Sequence, residues 1–320
     1  MKVLIADQFS PKAIEELKAA GLEVIYDANL NGDTLTACLA EKKPAVLVVR
    51  STKVQPPQID AGIPELKMVV RAGSGYDTID TAYAKEKGVA VCNTPGINAT
   101  AVAELVFAHI LNADRRISEN VTLFRQGKWN KAAYASCPGL KGRTLGLVGF
   151  GNIGLLVANR AHAFEMEVMA YDPVVKAEVI EKTGTKYVTD LMDIAKNCDF
   201  VSIHVPGGNA TKGLISKEFI AAMKDGATLI NTARATVVDE EAMIEKCKAG
   251  KLFACLDVMS NEPAVKKGDF THPLSAVENI YCTHHIGAST LQAESAIGDE
   301  AARVVMTFSK SGEILHQVNK

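Results

Sequence analysis

The sequence predicts an α/β protein with two doubly wound parallel sheets, and three observations support that prediction. Short apolar runs rich in β-branched residues alternate with helix-like segments along most of the chain. Runs of this density are typical of parallel strands that are covered by helices on both faces. The chain has 320 residues, which is long for a single core and sufficient for two domains.

The first strand series begins with KVLIAD at 2–7, and a helix opened by Pro11 and closed by Gly21 follows it. A long helix is predicted over 98–117, because apolar side chains recur there with the spacing of one helix face. His109 lies on that face, and we interpret it as a packed core residue rather than a ligand. The other strands of this series are predicted at 22–27, 45–51, 67–73 and 89–95.

A second alternation of strands and helices begins at Thr144. After Gly287 the pattern is that of a long amphipathic helix, and we expect it to return to the N-terminal domain, since chain ends often pack together. The strand candidates of this second series are 144–150, 167–172, 199–205, 227–233, 252–258 and 279–285.

The composition argues against several partners. With a formal net charge of -2, the chain has no basic excess to hold nucleic acid or an anionic membrane surface. The N-terminus has the pattern of a strand rather than a signal peptide, and no apolar run reaches the about 18 residues of a membrane span. The 7 cysteines are scattered without a CxxC pair, which fits free thiols in a reducing cytosol. We therefore expect a cytoplasmic protein without a metal site.

The segment 149–154, GFGNIG, is a G-x-G-x-x-G pattern between an apolar strand and a helix, and the next strand ends at Asp172. This is the context of a dinucleotide-binding Rossmann turn. Gly149 permits the tight turn, Gly151 lets the backbone approach a pyrophosphate, and Gly154 lets helix and strand pack closely. Asp172 would accept hydrogen bonds from ribose hydroxyls and repel a 2′-phosphate, so NAD is favoured over NADP. The alternative is a glycine turn that binds nothing.

Polar residues also end the other strands of the second series. Ligands of a doubly wound sheet bind outside the carboxyl ends of its strands, so titratable and cationic groups gathered there predict an active site. These residues are His204, Pro206, Thr232, Arg234, Asp257, His284 and His285.

Arginines end two strands of the N-terminal series. Arg50 ends one, and Arg71 ends another, where the segment 73–75 exposes backbone N–H groups. Together with Arg234 they indicate an anionic substrate, and more than one arginine suggests more than one anionic group. Each arginine alone would be a solvated surface residue, so the prediction depends on the set.

These motifs resemble those of the D-isomer-specific 2-hydroxyacid dehydrogenases. GLVGFGNIG…YDP, NTARATVVDEEAMI, CLDV…NEP and HIGAST occur in that family's order and approximate spacing, over nearly the whole chain. The resemblance implies a Rossmann NAD-binding domain over 99–287. That domain would be inserted in a flavodoxin-like substrate-binding domain formed by 1–98 and 288–320. It also implies a homodimer.

The resemblance further implies a catalytic set of His285, Glu262 and Arg234. His285 would exchange the hydroxyl proton of the substrate, because an imidazole titrates near neutrality. Glu262 would orient that ring and stabilise its protonated form, and Arg234 would bind the carboxylate and the oxygen on C2. His284 stands where the family usually has proline. Because side chains alternate along an extended chain, only one of the two rings would face the nicotinamide.

Ligand contacts are implied in the same way. Arg50 and Arg71 would bind a phosphate, and the backbone N–H groups of Ser74 and Gly75 would bind the carboxylate that Arg234 also holds. The NAD-binding residues would be Gly149, Gly151, Asn152, Ile153, Gly154, Asp172, His204, Pro206, Thr232 and Asp257.

The segments VVRSTKV and VVRAGSGYDTID…NTPG look most like the family members that oxidise 3-phospho-D-glycerate to 3-phosphohydroxypyruvate, the first step of serine biosynthesis. This oxidation is the leading hypothesis. A hydroxypyruvate/glyoxylate reductase or a D-lactate dehydrogenase would need only the carboxylate contacts and is the first alternative. A non-catalytic, NAD-sensing corepressor-like protein is the second. Since the sequence ends at Lys320, we expect no C-terminal regulatory domain of the kind that longer members carry.

Overall fold

The computed structural model describes residues 1–263 and 267–320, which form two compact units. One unit comprises 1–98 and 288–320, and the other comprises 99–287. The strands are β1 Lys2–Ile5, β2 Glu23–Tyr26, β3 Val46–Val49, β4 Met68–Arg71, β5 Ala90–Cys92, β6 Thr144–Val148, β7 Glu167–Tyr171, β8 Lys186–Tyr187, β9 Phe200–Ile203, β10 Ala227–Asn231, β11 Leu252–Leu256 and β12 Ile280–Cys282. The helices are α1 Pro11–Ala19, α2 Gly32–Lys42, α3 Pro56–Gly62, α4 Thr81–Glu86, α5 Ala99–Arg115, α6 Ile117–Arg125, α7 Asn152–Ala163, α8 Ala177–Glu181, α9 Leu191–Asn197, α10 Lys217–Ala222, α11 Glu240–Lys248 and α12 Leu291–Ser311.

The first unit is built on a parallel sheet with the order β2-β1-β3-β4-β5 in the described chain. This is the flavodoxin-like order, and helices bury apolar side chains on both of its faces. The C-terminal helix α12 packs on α1. The two approach closely at Gly298, where a Cβ would lie 2.7 Å from the Cβ of Ser10.

The second unit is built on a parallel sheet whose described strands follow the order β12-β11-β10-β9-β6-β7-β8. This is the Rossmann arrangement, in which the chain reverses direction across the sheet between β6 and β9. The two strand orders confirm the predicted fold class. The sequence did not predict β8, because its two residues are too short to show a pattern.

Local signals fix the helices that frame these strands. Ser10 accepts a hydrogen bond from the N–H of Ala13 at the start of α1, and Pro11 occupies its first turn. Thr290 caps α12 in the same way, and Gly312 ends that helix with φ 73°.

The described residues contain no helix with the length and hydropathy needed to cross a membrane. Within them, no group of three or more His, Cys, Asp or Glu side chains is arranged to hold a metal ion. All 7 cysteines lie in described segments, and none is in a disulfide.

Candidate active site

The glycine turn between β6 and α7 has two positions that the fold itself reserves for glycine. A Cβ on Gly154 would lie 2.4 Å from the carbonyl oxygen of Gly149. Gly149 has φ 98°, and a Cβ there would lie 2.8 Å from the backbone of His204. Gly151, the N-cap of α7, faces open space instead, and a Cβ added to it would meet no atom within 4 Å. The turn therefore leaves a clear approach to the helix N-terminus, where Asn152 and Ile153 begin the helix, as phosphate binding requires.

Asp172 follows β7 and is buried. Its Oδ2 accepts a hydrogen bond from the N–H of Phe150 at 2.7 Å, and its Oδ1 accepts from Val174 at 2.7 Å and Val175 at 2.9 Å. Beyond the ribose contact expected from the sequence, this carboxylate thus ties the glycine turn to the end of β7. The loss of Asp172 would disturb the turn as well as any ribose contact.

Two strand ends beside the turn carry buried polar atoms. Neither ring nitrogen of His204, after β9, has a hydrogen-bond partner among the described residues, and the same is true of the hydroxyl of Thr232 after β10. Burial lowers the pKa of His204 to about 3, so its imidazole is neutral. Pro206 lies in the next loop, where its carbonyl accepts the Thr211 hydroxyl at 2.6 Å. Unpartnered buried groups beside an open glycine turn fit a polar ligand such as a dinucleotide.

His285 and Glu262 form a hydrogen-bonded pair. Glu262 lies in the loop after β11, and His285 lies three residues beyond the end of β12. The Nδ1 of His285 is 2.9 Å from the Oε2 of Glu262, whose Oε1 accepts the N–H of Met259 at 3.1 Å. The carboxylate is thereby held in place while it orients the imidazole. This leaves Nε2 as the nitrogen available to a substrate.

The pair shifts both pKa values towards the charged forms. The hydrogen bond to Glu262 raises the pKa of His285 despite burial, with help from the charges of Glu262 and Asp257 and against that of Arg234. Burial would raise the pKa of Glu262, but the hydrogen bond and charge of His285, the N–H of Met259 and the charge of Arg234 together lower it. Arg234 is therefore within electrostatic reach of both partners.

The chain turns sharply at His285, and Asp257 holds that turn. His285 has φ 53°, a left-handed conformation that residues with a side chain rarely adopt. Buried Asp257 accepts hydrogen bonds from the N–H groups of Ile286 at 2.9 Å and Gly287 at 2.7 Å. It also accepts the hydroxyl of Thr283 at 2.6 Å. Asp257 thus fixes the backbone on both sides of the histidine.

The expected alternation of the two histidines does not apply at this turn. β12 ends at Cys282, so His284 and His285 lie beyond the extended segment that was predicted over 279–285. Both rings line one cavity of about 610 Å³, whose described walls also include Met259, Glu262 and Phe270. Only His285 is bonded to the carboxylate of Glu262. His109, which we interpret from the sequence as a core residue, is buried. Its Nε2 lies 3.3 Å from the hydroxyl oxygen of Thr283.

Arg234 lies in the loop after β10, where Asn231 holds the backbone by two hydrogen bonds. The side-chain oxygen of buried Asn231 accepts the N–H of Ala233 at 3.0 Å, and its Nδ2 donates to the carbonyl of Arg234 at 2.9 Å. The guanidinium Nη1 donates to the carbonyl of Ala233 at 2.7 Å. The backbone that carries the Arg234 side chain is therefore held in place by Asn231.

In the first unit, carboxylates contact the expected anion-binding groups at the end of β3. The Nη1 of Arg50 is 2.9 Å from the Oε1 of Glu294 on α12. Buried Asp7 accepts hydrogen bonds from the N–H groups of Arg50 at 2.7 Å, Ser51 at 3.0 Å and Thr52 at 2.9 Å. A cavity of about 210 Å³ adjoins the ion pair, lined by Gln8, Phe9, Ser10, Pro11, Arg50, Ala72, Leu291, Glu294, Ser295, Ile297 and Gly298.

The loop after β4 has a different character. The guanidinium of Arg71 lies over Gly73, which has φ 141°, and a Cβ added to this glycine would overlap Nη1. The hydroxyl of Ser74 donates to Asn98 at 2.7 Å and fixes the loop from within. Across 1–263 and 267–320, no backbone carbonyl accepts a hydrogen bond from the N–H of Ser74 or of Gly75. Both N–H groups are therefore candidate donors to an anion.

Asp7 and Asn231 were not identified from the sequence, and Asp257 was named only as a contact of NAD and not as the residue that holds the turn at His285. All three lie at or just beyond the carboxyl ends of strands, and that position was the available signal for their backbone contacts. Glu294 offered no signal, because it contacts Arg50 across 244 positions of sequence.

Comparison with known proteins identifies the family. Residues 107–287 match the family model of the D-isomer specific 2-hydroxyacid dehydrogenase, NAD binding domain. A hydroxypyruvate reductase of Thermotoga maritima is 46% identical over 301 residues, which cover 93% of this chain and 95% of that protein. A D-3-phosphoglycerate dehydrogenase of Archaeoglobus fulgidus is 37% identical over 320 residues, 100% of this chain but 59% of that longer protein.

A solved structure of a named enzyme is similar to this chain over its whole length. The NAD+-bound 3-phosphoglycerate dehydrogenase of Entamoeba histolytica superposes with a TM-score of 0.83 at 27% identity, covering 100% of this chain and 99% of that one. The chain therefore belongs to the D-isomer specific 2-hydroxyacid dehydrogenases, and it is an NAD-dependent enzyme of that family.

Proposed function

We propose that the protein interconverts hydroxypyruvate and D-glycerate, with NAD(H) as its cofactor. The observation that carries this choice of substrate is the ion pair between Arg50 and Glu294 at 2.9 Å. Arg50 is one of the two guanidinium groups expected to bind a phosphate, and here a carboxylate already compensates its charge. A phosphate dianion at Arg50 would meet that carboxylate, whereas the uncharged hydroxymethyl group of hydroxypyruvate would not.

The residues of the second unit supply the acid–base chemistry. NADH, when bound, supplies the hydride that reaches C2. His285 gives the proton on Nε2 to the C2 oxygen during reduction and takes it back during oxidation. Glu262 holds Nδ1 and stabilises the protonated ring through the 2.9 Å hydrogen bond. Arg234 binds the substrate carboxylate and stabilises the charge that develops on the C2 oxygen.

The N–H groups of Ser74 and Gly75 are proposed as further donors to the carboxylate. Two successive backbone donors can hold one anionic group without a net positive charge. The name of the Thermotoga maritima relative, hydroxypyruvate reductase, supports the same substrate.

Oxidation of 3-phospho-D-glycerate is the second candidate. Arg71 supports it, because a second guanidinium at a strand end of the same unit would suit a second anionic group. The dehydrogenase of Archaeoglobus fulgidus, which is named for this substrate, also matches the whole chain.

Steady-state kinetics with NADH separates these candidates. We expect a higher kcat/KM for hydroxypyruvate than for 3-phosphohydroxypyruvate, and Arg50→Ala should not selectively impair the phosphorylated substrate. A preference for the phosphorylated substrate that Arg50→Ala and Arg71→Ala abolish would support the second candidate. If pyruvate is reduced in preference to both, the D-lactate dehydrogenase alternative gains support instead.

We also propose that the protein is a homodimer that uses the surface around α6. No residue of α6 is buried within the described chain, and Phe124 on this helix is 68% exposed. Trp129, four residues after the end of α6, is 80% exposed. Large apolar side chains exposed close together are typical of a protein–protein contact surface. Light scattering should give a dimer mass, and Phe124→Glu should shift it towards the monomer. An unchanged dimer in that variant would place the contact elsewhere.

A further inference from the structure

Gly207 lies against the side chain of Arg234. The two residues follow β9 and β10, which are adjacent parallel strands, so their loops leave the sheet side by side. A Cβ on Gly207 would lie 2.9 Å from the Cγ of Arg234, 3.6 Å from its Cβ and 3.7 Å from its Cδ. The shortest of these distances is below ordinary carbon–carbon contact, which is about 3.5–4.0 Å.

The conflict at this position is one of space and not of backbone conformation. Gly207 does not have a positive φ, whereas its neighbour Gly208 has φ 137°. A Cβ on Gly208 would meet nothing within 4 Å. Lack of space for a Cβ therefore calls for glycine at position 207, and a positive φ calls for it at position 208.

The backbone of Arg234 cannot relieve such a contact easily. Asn231 bonds to it on both sides, at the N–H of Ala233 and at the carbonyl of Arg234. A methyl group at position 207 would therefore displace the Arg234 side chain rather than its loop. Because the guanidinium lies beyond Cγ, a shift of Cγ of about 0.6–1 Å, the shortfall from ordinary contact, would carry over to the charged group.

We propose that Gly207 is a positioning residue, which sets the place of the Arg234 guanidinium by leaving room for its aliphatic arm. This inference rests on the proposed role of Arg234 in binding the substrate carboxylate. A misplacement of about 1 Å can cost on the order of 100-fold in rate. Gly207 thus contributes to substrate binding through the absence of a side chain.

Gly207→Ala is the direct test, with NADH and hydroxypyruvate as ligands. We expect kcat/KM for hydroxypyruvate to fall by about 10- to 100-fold, and the inhibition constant of oxalate against the enzyme–NADH complex to rise similarly. The dissociation constant of NADH, measured by fluorescence, should stay within about twofold, because the contact is with Arg234 and not with the glycine turn. Oxalate reports carboxylate binding without any chemical step.

Two neighbouring variants provide controls. Gly208→Ala strains the loop without contacting Arg234. It should lower the thermal midpoint and leave the inhibition constant of oxalate nearly unchanged. Asn209→Ala, on the exposed part of the same loop, should change neither. If Gly208→Ala weakens oxalate as strongly as Gly207→Ala does, the effect belongs to the loop in general and the proposal is wrong.

A double-mutant cycle with Arg234→Ala shows whether Gly207 acts through the arginine. In that background Cγ is gone and the remaining Cβ lies at an ordinary 3.6 Å, so the added methyl group should have no further effect on oxalate binding. Equal losses in both backgrounds would overturn the proposal. Normal oxalate binding in Arg234→Ala alone would instead refute the role of Arg234 in the proposed function, which is a separate failure.

Discussion

Replacement of Glu294 by glutamine should convert this enzyme towards phosphorylated substrates. The change keeps the shape of the side chain and removes the negative charge that lies beside Arg50. If that charge is what disfavours a phosphate, Glu294→Gln should raise kcat/KM for 3-phosphohydroxypyruvate and leave hydroxypyruvate nearly unaffected.

The size of the effect follows from the geometry of the ion pair. Because Nη1 and Oε1 are 2.9 Å apart, a phosphate held by Arg50 would approach the carboxylate closely. Two unit charges at 4 Å interact with about 1 kcal/mol in bulk water and about 4 kcal/mol near a protein surface. The Arg50 and Glu294 side chains are 28% and 41% exposed, which favours the lower part of that range. For a dianion we therefore expect about 2–3 kcal/mol, or roughly 30- to 150-fold in kcat/KM.

Steady-state rates of NADH oxidation with each substrate provide the assay. Glu294→Asp keeps the charge and should retain most of the discrimination. Asp299→Asn removes a charge from the same helix, at a residue that pairs with Lys12 instead, and should have little effect. The gain in Glu294→Gln should shrink at high ionic strength, since partly exposed charges are screened.

Two results together would contradict the role given to Glu294. If Glu294→Gln leaves kcat/KM for 3-phosphohydroxypyruvate unchanged, while the variant folds and reduces hydroxypyruvate normally, the carboxylate does not govern substrate charge.

Four further predictions concern the dyad, the cofactor turn and stability. His285→Ala should lower kcat by about 10²- to 10⁴-fold whereas His284→Ala remains active, and the reverse result would assign the acid–base role to the other ring. Glu262 raises the pKa of His285, and reduction of a keto acid needs the His285 ring protonated, so activity is lost as pH rises through that pKa. In Glu262→Gln this pKa is lower, so the fall of kcat/KM at alkaline pH should begin at a lower pH. Gly154→Ala should abolish NADH binding measured by fluorescence, because the new Cβ would lie 2.4 Å from a carbonyl oxygen of the turn. Lys246→Met removes an ammonium that bonds carbonyl oxygens at the end of α10 at 2.6–3.3 Å, and urea unfolding should show a loss of about 1–3 kcal/mol with normal kinetics.

Local patterns made the fold predictable from the sequence. Apolar β-branched runs located the strands, and the glycine spacing with Asp172 located the Rossmann turn. The two-residue strand β8 escaped notice because it has no apolar run of its own. The predicted strand over 279–285 was too long, because the backbone leaves the extended region before His285. Strand ends are uncertain in this way wherever a loop is held by distant side chains rather than by its own sequence.

The site was predictable only as far as motifs reach. The resemblance named His285, Glu262 and Arg234, and the structure brings the first two within 2.9 Å of each other. It could not reveal that Glu294 would face Arg50, since that contact depends on how α12 packs against the sheet. Nor could it show that Gly207 lies against the arm of Arg234, because a missing side chain leaves no chemical signature in a sequence.

The charged groups at the end of β3 act together on the charge that a bound substrate can carry. Glu294 compensates the guanidinium of Arg50, and Asp7 accepts the N–H groups at 50–52, which would otherwise form an anion-binding loop. In the described chain, no backbone carbonyl accepts the N–H groups of Ser74 and Gly75. Because a buried or half-buried carboxylate would repel a phosphate held by the same donors, the end of β3 suits the proposed hydroxypyruvate better than a doubly charged group, whereas Arg71 at the end of β4 is what favours the phosphorylated candidate. Under the proposed function, a monoanionic 2-keto acid avoids that repulsion, whereas a phosphorylated one would require Glu294 to move or be replaced.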